Sequence, residues 1–149
     1  MRYLTTLAIL IIVLLIAFMY MNPNNNKNTV KLAGQVIEVE VADTVSKKFV
    51  GLGGREALAH NQGMLFVYES LVAPEFWMKD MLIPIDIIWI SGQEVVDITP
   101  AVPPEPGVPD SDLKRYPPVE PIDKVLEVRS GWAEEFGLQI GDEVEFDLP

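Results

Sequence analysis

Two carboxylates stand in stretches that offer them little water. Asp86 interrupts the run Ile85-Asp86-Ile87-Ile88-Trp89-Ile90, and Glu127 interrupts Lys124-Val125-Leu126-Glu127-Val128-Arg129. Both runs have the length and the β-branched content of strands. Alternate residues of a strand share a face, so Asp86 points with Ile88 and Ile90, and Glu127 with Val125 and Arg129. A carboxylate on an apolar face must find a partner or give up its charge. A third stretch, Glu75-Phe76-Trp77-Met78-Lys79, also alternates, and it sets Trp77 and Lys79 on one face, an aromatic wall beside a cation.

Other chemistries have little to work with. The chain contains no cysteine, which removes thiol nucleophiles and, with a single histidine, any zinc set. That histidine, His60, lies in the polar stretch Ala59-His60-Asn61-Gln62 and completes no Ser-His-Asp arrangement. There is no phosphate-binding glycine loop. Neither metal nor organic cofactor is expected. Two carboxylates such as Asp80 and Asp86 offer an acid and a base, but a chain with 22 acidic residues holds many such pairs. The net charge of −11 disfavours nucleic acid as a partner.

The elements that must position these residues begin after an apolar run. Leu4 to Met21 carries no charge, and as a helix its 18 residues would rise roughly 27 Å, against roughly 30 Å for a bilayer core. The run ends in Phe18-Met19-Tyr20-Met21-Asn22-Pro23, without the small residues of a cleavage site. Residues 1–21 therefore read as one transmembrane anchor, with a cleaved signal peptide as the alternative. Arg2 before the run and Lys27 and Lys31 after it nearly balance. A signal-anchor orientation, with the domain on the extracytoplasmic side of the cytoplasmic membrane, is the expectation. Residues 22–28, an Asn-rich linker, join the anchor to a globular domain over 29–149.

Within that domain Val30–Leu32 and Ile37–Val41 form a hairpin across Ala33-Gly34. A helix capped by Asp43 or Thr44 turns Val45, Phe49 and Leu52 to one side. Further strands are expected at Gly63–Tyr68, Glu75–Lys79, Ile85–Ile90, Glu94–Thr99, Lys124–Arg129 and Glu143–Phe146. A second short helix is expected to follow Ser130 as its cap and to stop at Gly137. Pro100 to Pro121 holds eight of the twelve prolines and no periodicity, and it reads as a flap or docking strip over one end of the fold. The fold class is α+β and β-rich: a small barrel or half-barrel of about eight short strands with two short helices.

One ordered set of motifs spans the domain. It comprises Gly51-Leu52-x-x-Arg55-x-x-Leu58, Gly63-Met64-Leu65-Phe66, Phe76-Trp77-Met78-Lys79 and Ile83-Pro84-x-Asp86-Ile87. It continues through Pro103, Tyr116, Val125-Leu126-Glu127, Gly131 and Gly141-Asp142. In these residues the chain resembles the uncharacterised family called domain of unknown function 192, from about Thr29 to Phe146. Gly53 stands where that family usually has methionine, and Asp80 where it usually has asparagine. The resemblance implies a compact β-rich fold, often outside the cytoplasmic membrane, and no particular activity. By the same motifs Arg55 and Lys79 are the nearest cations for Asp86, which is expected to be ionised and paired with one of them.

Arg55, Trp77, Lys79, Asp86 and Glu127 thus form one candidate cluster with two readings. In one, cations and an aromatic ring hold a small anionic or sugar-like ligand. In the other, the charges are ion pairs that fix strand register and the Gly53-Gly54 turn. The functional expectation is a non-catalytic, membrane-tethered binding or interaction module of the cell envelope, whose partners are the membrane through residues 4–21 and a small ligand or an envelope protein. The alternative is a hydrolase-like envelope enzyme using Asp80, Asp86 or Glu127 on a glycan-like or anionic substrate.

Overall fold

A computed structural model describes residues 11–12 and 27–148. The expected anchor over residues 4–21, apart from Ile11 and Ile12, and most of the linker lie outside the described residues. In chain order the elements are β1 (Thr29–Leu32), β2 (Gln35–Ala42), α1 (Val45–Val50), β3 (Gln62–Val72), β4 (Ile85–Ser91), β5 (Glu94–Val102), β6 (Ile122–Arg129), α2 (Trp132–Glu135) and β7 (Glu145–Asp147). The strands form one sheet in the order β5-β4-β6-β3-β2-β1-β7. β2 and β3, joined through α1, run parallel; every other neighbouring pair is antiparallel. The two ends of this order approach each other. Val95 accepts from Gly141 N–H and donates to Asp142 O, and Val144 donates to Gln93 O. The architecture is a β-rich half-barrel of seven strands with two short helices.

Both faces of the sheet are apolar, which is why β4 reads as hydrophobic throughout. The inner face gathers Leu32, Ile37, Leu65, Ile88, Ile90, Leu126, Val128 and Val144, with Trp132 of α2 as a plug. The outer face gathers Met64, Phe66, Ile85, Ile87, Trp89 and Val125. It is roofed by Leu52, Phe76, Met78, Met81 and Tyr116 from the connecting segments. Trp89 is fully buried and donates Nε1–H to Thr99 Oγ1 at 2.9 Å, so its one polar atom is satisfied.

Several sequence expectations hold and several do not. The β1–β2 hairpin turns through Ala33 and Gly34, both at positive φ, and Thr44 caps α1 through Lys47 N–H. The Glu75–Lys79 stretch is not a strand, which leaves seven rather than eight. Its alternation is real in burial, with Phe76 and Met78 inside, but the segment is roof. Only Phe76 makes a ladder contact, a two-bond bridge to Tyr116. That bridge, with Leu113 and Tyr116 buried, fastens the proline-rich segment to the outer face. α1 buries none of its residues: Val45 and Phe49 are exposed, and only Leu52 beyond the helix is inside.

The largest correction concerns Asp86. Its carboxylate is fully buried but touches neither Arg55 nor Lys79. Oδ1 accepts from Ala101 N–H at 2.8 Å and Gly131 N–H at 3.1 Å, and Oδ2 accepts from Ala133 N–H at 2.9 Å. Asp86, not Ser130, is the cap of α2, whose own N-cap residue is Gly131 at φ +81 with no side-chain bond. A four-residue helix has too few internal bonds to stand alone; a carboxylate at its N-terminal amides supplies the missing acceptor and meets the favourable end of the dipole. The same oxygen holds Ala101, another residue at positive φ. Asp86→Ala removes the acceptor of one buried and two partly buried donors, so it should cost about 3–5 kcal/mol in urea denaturation. Asp86→Asn keeps one acceptor oxygen and should cost roughly half as much. An alanine variant within about 1 kcal/mol of the parent would contradict this clamp.

Candidate functional site

The sheet register separates the two buried carboxylates. Asp86 pairs across the β4–β6 ladder with Val128, and Ile87 with Glu127. Asp86 therefore belongs to the inner face and Glu127 to the outer one, where its lateral neighbours are Ile87 and Met64. Glu40 continues this row beside Met64. Gly63, next in β3, is confined to glycine, since a Cβ there would lie 2.7 Å from Glu127 O. The close approach of β3 to β6 at this point sets the depth at which the Glu127 side chain sits.

Above Glu127 lies a cleft of about 100 Å³. Its walls come from α1 and the turn after it (Lys48, Phe49, Leu52), from β3 (Phe66, Tyr68) and from the roof segment (Phe76, Trp77, Lys79). The rings pack edge to face: Phe49 on Trp77 at 5.9 Å, Phe66 on Phe76 at 4.8 Å, and Phe76 on Trp89 at 5.3 Å. The roof and the turn after α1 are tied by Gly54 N–H donating to Asp80 O at 2.8 Å. Asp80 itself adopts φ +56, a conformation that asparagine and aspartate tolerate best among residues with a Cβ.

The floor of this cleft is chemically unusual. Glu127 is 5% exposed, and its Oε2 is buried without a hydrogen-bond partner. Burial pushes the carboxyl up to about 8, against the counter-pull of the Arg55 charge. At neutral pH the floor therefore carries a neutral acid, a donor as well as an acceptor. Tyr68 is pushed up to about 12, first by burial and then by Glu127. Arg55 is near enough to be felt but is engaged elsewhere: its two terminal nitrogens bind both Glu40 oxygens at 2.7 Å. That bidentate bond draws the Glu40 carboxyl below its usual range.

The expected cluster is thus partly assembled. Trp77, Lys79 and Glu127 line one cleft; Arg55 sits beside it, locked to Glu40; Asp86 is on the other side of the sheet. Lys79 binds Asp110 at 2.6 Å and lies 3.5 Å from Asp80, which is exposed. Sequence reasoning missed three contributors. Phe49 reads in the sequence only as part of the apolar face of a short helix, and in the fold it is a cleft wall. Lys48 lies 4.0 Å over the Tyr68 ring, and Arg115 of the proline-rich segment lies 3.9 Å over Trp77. Neither contact has a spacing signature, because each joins elements distant in sequence. His60 contributes only its carbonyl, which accepts from Trp132 Nε1 at 3.0 Å. A wider depression of about 1030 Å³ runs beside β2, but its charged groups pair with one another as Lys27–Glu38, Arg55–Glu40 and Lys47–Asp43.

The comparisons fit this architecture. A family model described as DUF192, Uncharacterized ACR, matches residues 27–146. The crystal structure of a candidate transcription regulator from Sinorhizobium meliloti 1021 is similar at a TM-score of 0.71 and 27% identity, covering 80% of this chain and 93% of that one. A protein of unknown function from Novosphingobium aromaticivorans DSM 12444 is similar at a TM-score of 0.70 and 30% identity, covering 83% and 89%. No curated protein matches the chain.

The Glu127 carboxyl makes stability depend on pH in a definite direction. Below about 4.5 the folded and unfolded chains both hold the proton, and the burial penalty is small. Between 4.5 and about 8 the unfolded carboxyl ionises while the folded one does not, so the folded state loses ground by about 1.4 kcal/mol per pH unit. Glu127→Gln does not titrate. Its stability advantage over the parent, from urea denaturation across this range, should grow by roughly 2 kcal/mol or more. An advantage that stays flat with pH would mean the carboxyl ionises normally in the fold.

Proposed function

Because the chain belongs to the DUF192 family, whose description assigns no activity, its function is argued from the site, and we propose a non-catalytic binding module of the cell envelope. In this reading residues 4–21 hold it at the cytoplasmic membrane, the domain faces the extracytoplasmic side, and the cleft over Glu127 binds a small ligand. The observation that carries the reading is the Glu127 Oε2 atom, buried and without a partner at the floor of an aromatic cleft. Buried polar atoms are nearly always satisfied, and an orphan is left where a ligand or water completes it.

Binding is favoured over hydrolysis by the places of the three carboxylates. Hydrolytic acid–base chemistry uses two carboxyls facing one bond, about 5–9.5 Å apart in glycosidases. Asp86 is committed to three amides on the far face, and Asp80 is exposed and beside Lys79. Glu127 is the buried carboxyl of the cleft, and the second carboxyl on its lining, Glu75 of the roof segment, is exposed. The tether supports a site near the membrane, since seven linker residues span at most ~25 Å before β1 begins.

Two measurements on the full chain test the proposal. Thermal-shift and crystal-soak screening against envelope sugars, nucleotides, short peptides and small acids should find a ligand seated between Trp77 and Glu127 and recovered unchanged. Turnover that disappears in a folded Glu127→Gln variant would make the protein an enzyme instead. Protease added to intact spheroplasts should degrade the domain; survival until lysis would place it on the cytoplasmic side.

A further inference from the structure

We propose that the cleft takes a small monocarboxylate with a short or single-ring apolar body, whose carboxylate accepts a hydrogen bond from the Glu127 carboxyl and faces the Lys48 ammonium. This rests on the binding reading above and names the ligand class for the same site.

The cleft itself narrows the choice. An aromatic cleft with one acidic floor residue resembles a cage for ammonium groups, but here the protein's own cations already occupy the ring faces. Lys48 Nζ stands 4.0 Å from the centre of Tyr68, Arg115 Cζ stands 3.9 Å from the centre of Trp77, and Lys79 Nζ stands 6.0 Å from Phe49. A cationic ligand would meet Lys48 and Lys79 on the lining, with Arg115 already stacked on Trp77. Among the described residues Lys79 and Arg55 are paired with carboxylates, while Lys48 and Arg115 have none within salt-bridge distance. Lys48 is therefore the cation of the lining left for a ligand to answer, beside the exposed Glu75 carboxylate of the roof. A sugar fits poorly for a different reason, because it presents many hydroxyls and the cleft offers one free buried polar atom. The space of about 100 Å³ is also smaller than the roughly 150 Å³ that encloses a benzene ring, so one small apolar body fills it. Phe49, 55% exposed, lets a ring project beyond the mouth.

A carboxylate bound against a carboxylic acid shares one proton with it, in a short charge-assisted O–H···O⁻ bond. Binding then depends on the proton that Glu127 holds. The groups that face it or line its cleft are Arg55 from the segment after α1, Lys48 from α1, Tyr68 from β3, and Glu75 and Lys79 from the roof; Glu40 of β2 acts through Arg55. Arg55 favours ionisation and burial opposes it, and burial is the larger. Ligand affinity should accordingly be full below the Glu127 midpoint and fall as pH rises through it, with one proton taken up per ligand bound above it.

Calorimetric titration of the full chain tests this with three probes of one shape: benzoate, benzyl alcohol and benzyltrimethylammonium. Benzoate is expected to bind at about pH 6.5 and to weaken about thirtyfold by about pH 9.5, the factor set by a carboxyl midpoint of about 8. In Glu127→Gln, whose amide N–H replaces the O–H donor, benzoate affinity should vary by less than about threefold over that range. Tighter binding of benzyltrimethylammonium, rising with pH, would overturn the ligand class while leaving the cleft a binding site. Equal binding of benzyl alcohol and benzoate at both pH values would do the same. Failure of all three probes to bind would overturn the inference, and the broader ligand screen would then decide the binding reading separately.

Discussion

A single carboxylate with three amide donors ties β4, β5 and α2 together. Asp86 is the second residue of β4, and the groups it binds come from the end of β5 and from the start of α2. Without that acceptor the buried Ala133 N–H would go unanswered, a cost of about 1–3 kcal/mol, and the partly buried Ala101 and Gly131 N–H groups would lose their bonds as well. The clamp also seats Trp132, which plugs the inner core and reaches the His60 carbonyl on the segment before β3. The acceptors of this buried side chain are answered by backbone amides, with no cation involved.

The commitment of Asp86 to structure defines what is left for function. On the opposite face Glu127 is buried to a similar degree but receives no such solvation, and it answers by holding its proton. The two residues are neighbours on adjacent strands, and one step of register decides which becomes a strut and which becomes the floor of a cleft. The roof completes the contrast. Phe76, Trp77 and Lys79 are placed by the Phe76–Tyr116 bridge and the Gly54–Asp80 bond, so the proline-rich segment and the turn after α1 together fix the cleft walls.

Much of this was legible in the residues. Period-two alternation located six of the seven strands closely and assigned Asp86 and Glu127 to the right face of each strand, because side-chain direction is a local property. The Ala33-Gly34 turn and the Thr44 cap were legible for the same reason. Register was not. The pairing of Ile87 with Glu127 is set by contacts across strands, so the sequence could not show that the two acids lie on opposite faces. Glu75–Lys79 alternates because a roof segment buries every other side chain, a pattern that a strand shares. The cap of α2 lies 45 residues upstream, beyond any local motif, and the Arg55–Glu40 bond depends on where the 51–61 segment folds back over β2. The motifs shared with DUF192 include Gly63, and Asp80 is one of the departures from them; the backbone reasons at both positions appear only in three dimensions.

The central claim is that Glu127 is a neutral acid at neutral pH, and its ionisation can be observed directly. Carbon-13 NMR of the full chain labelled at the glutamate side-chain carboxyls follows each one through a pH titration, and comparison with Glu127→Gln assigns the resonance. The account requires one carboxyl that titrates near 8, well apart from the others. A Glu127 midpoint near the ordinary 4.5 would mean that the floor of the cleft is charged, and it would contradict both the proton-holding acid and the ligand chemistry built on it.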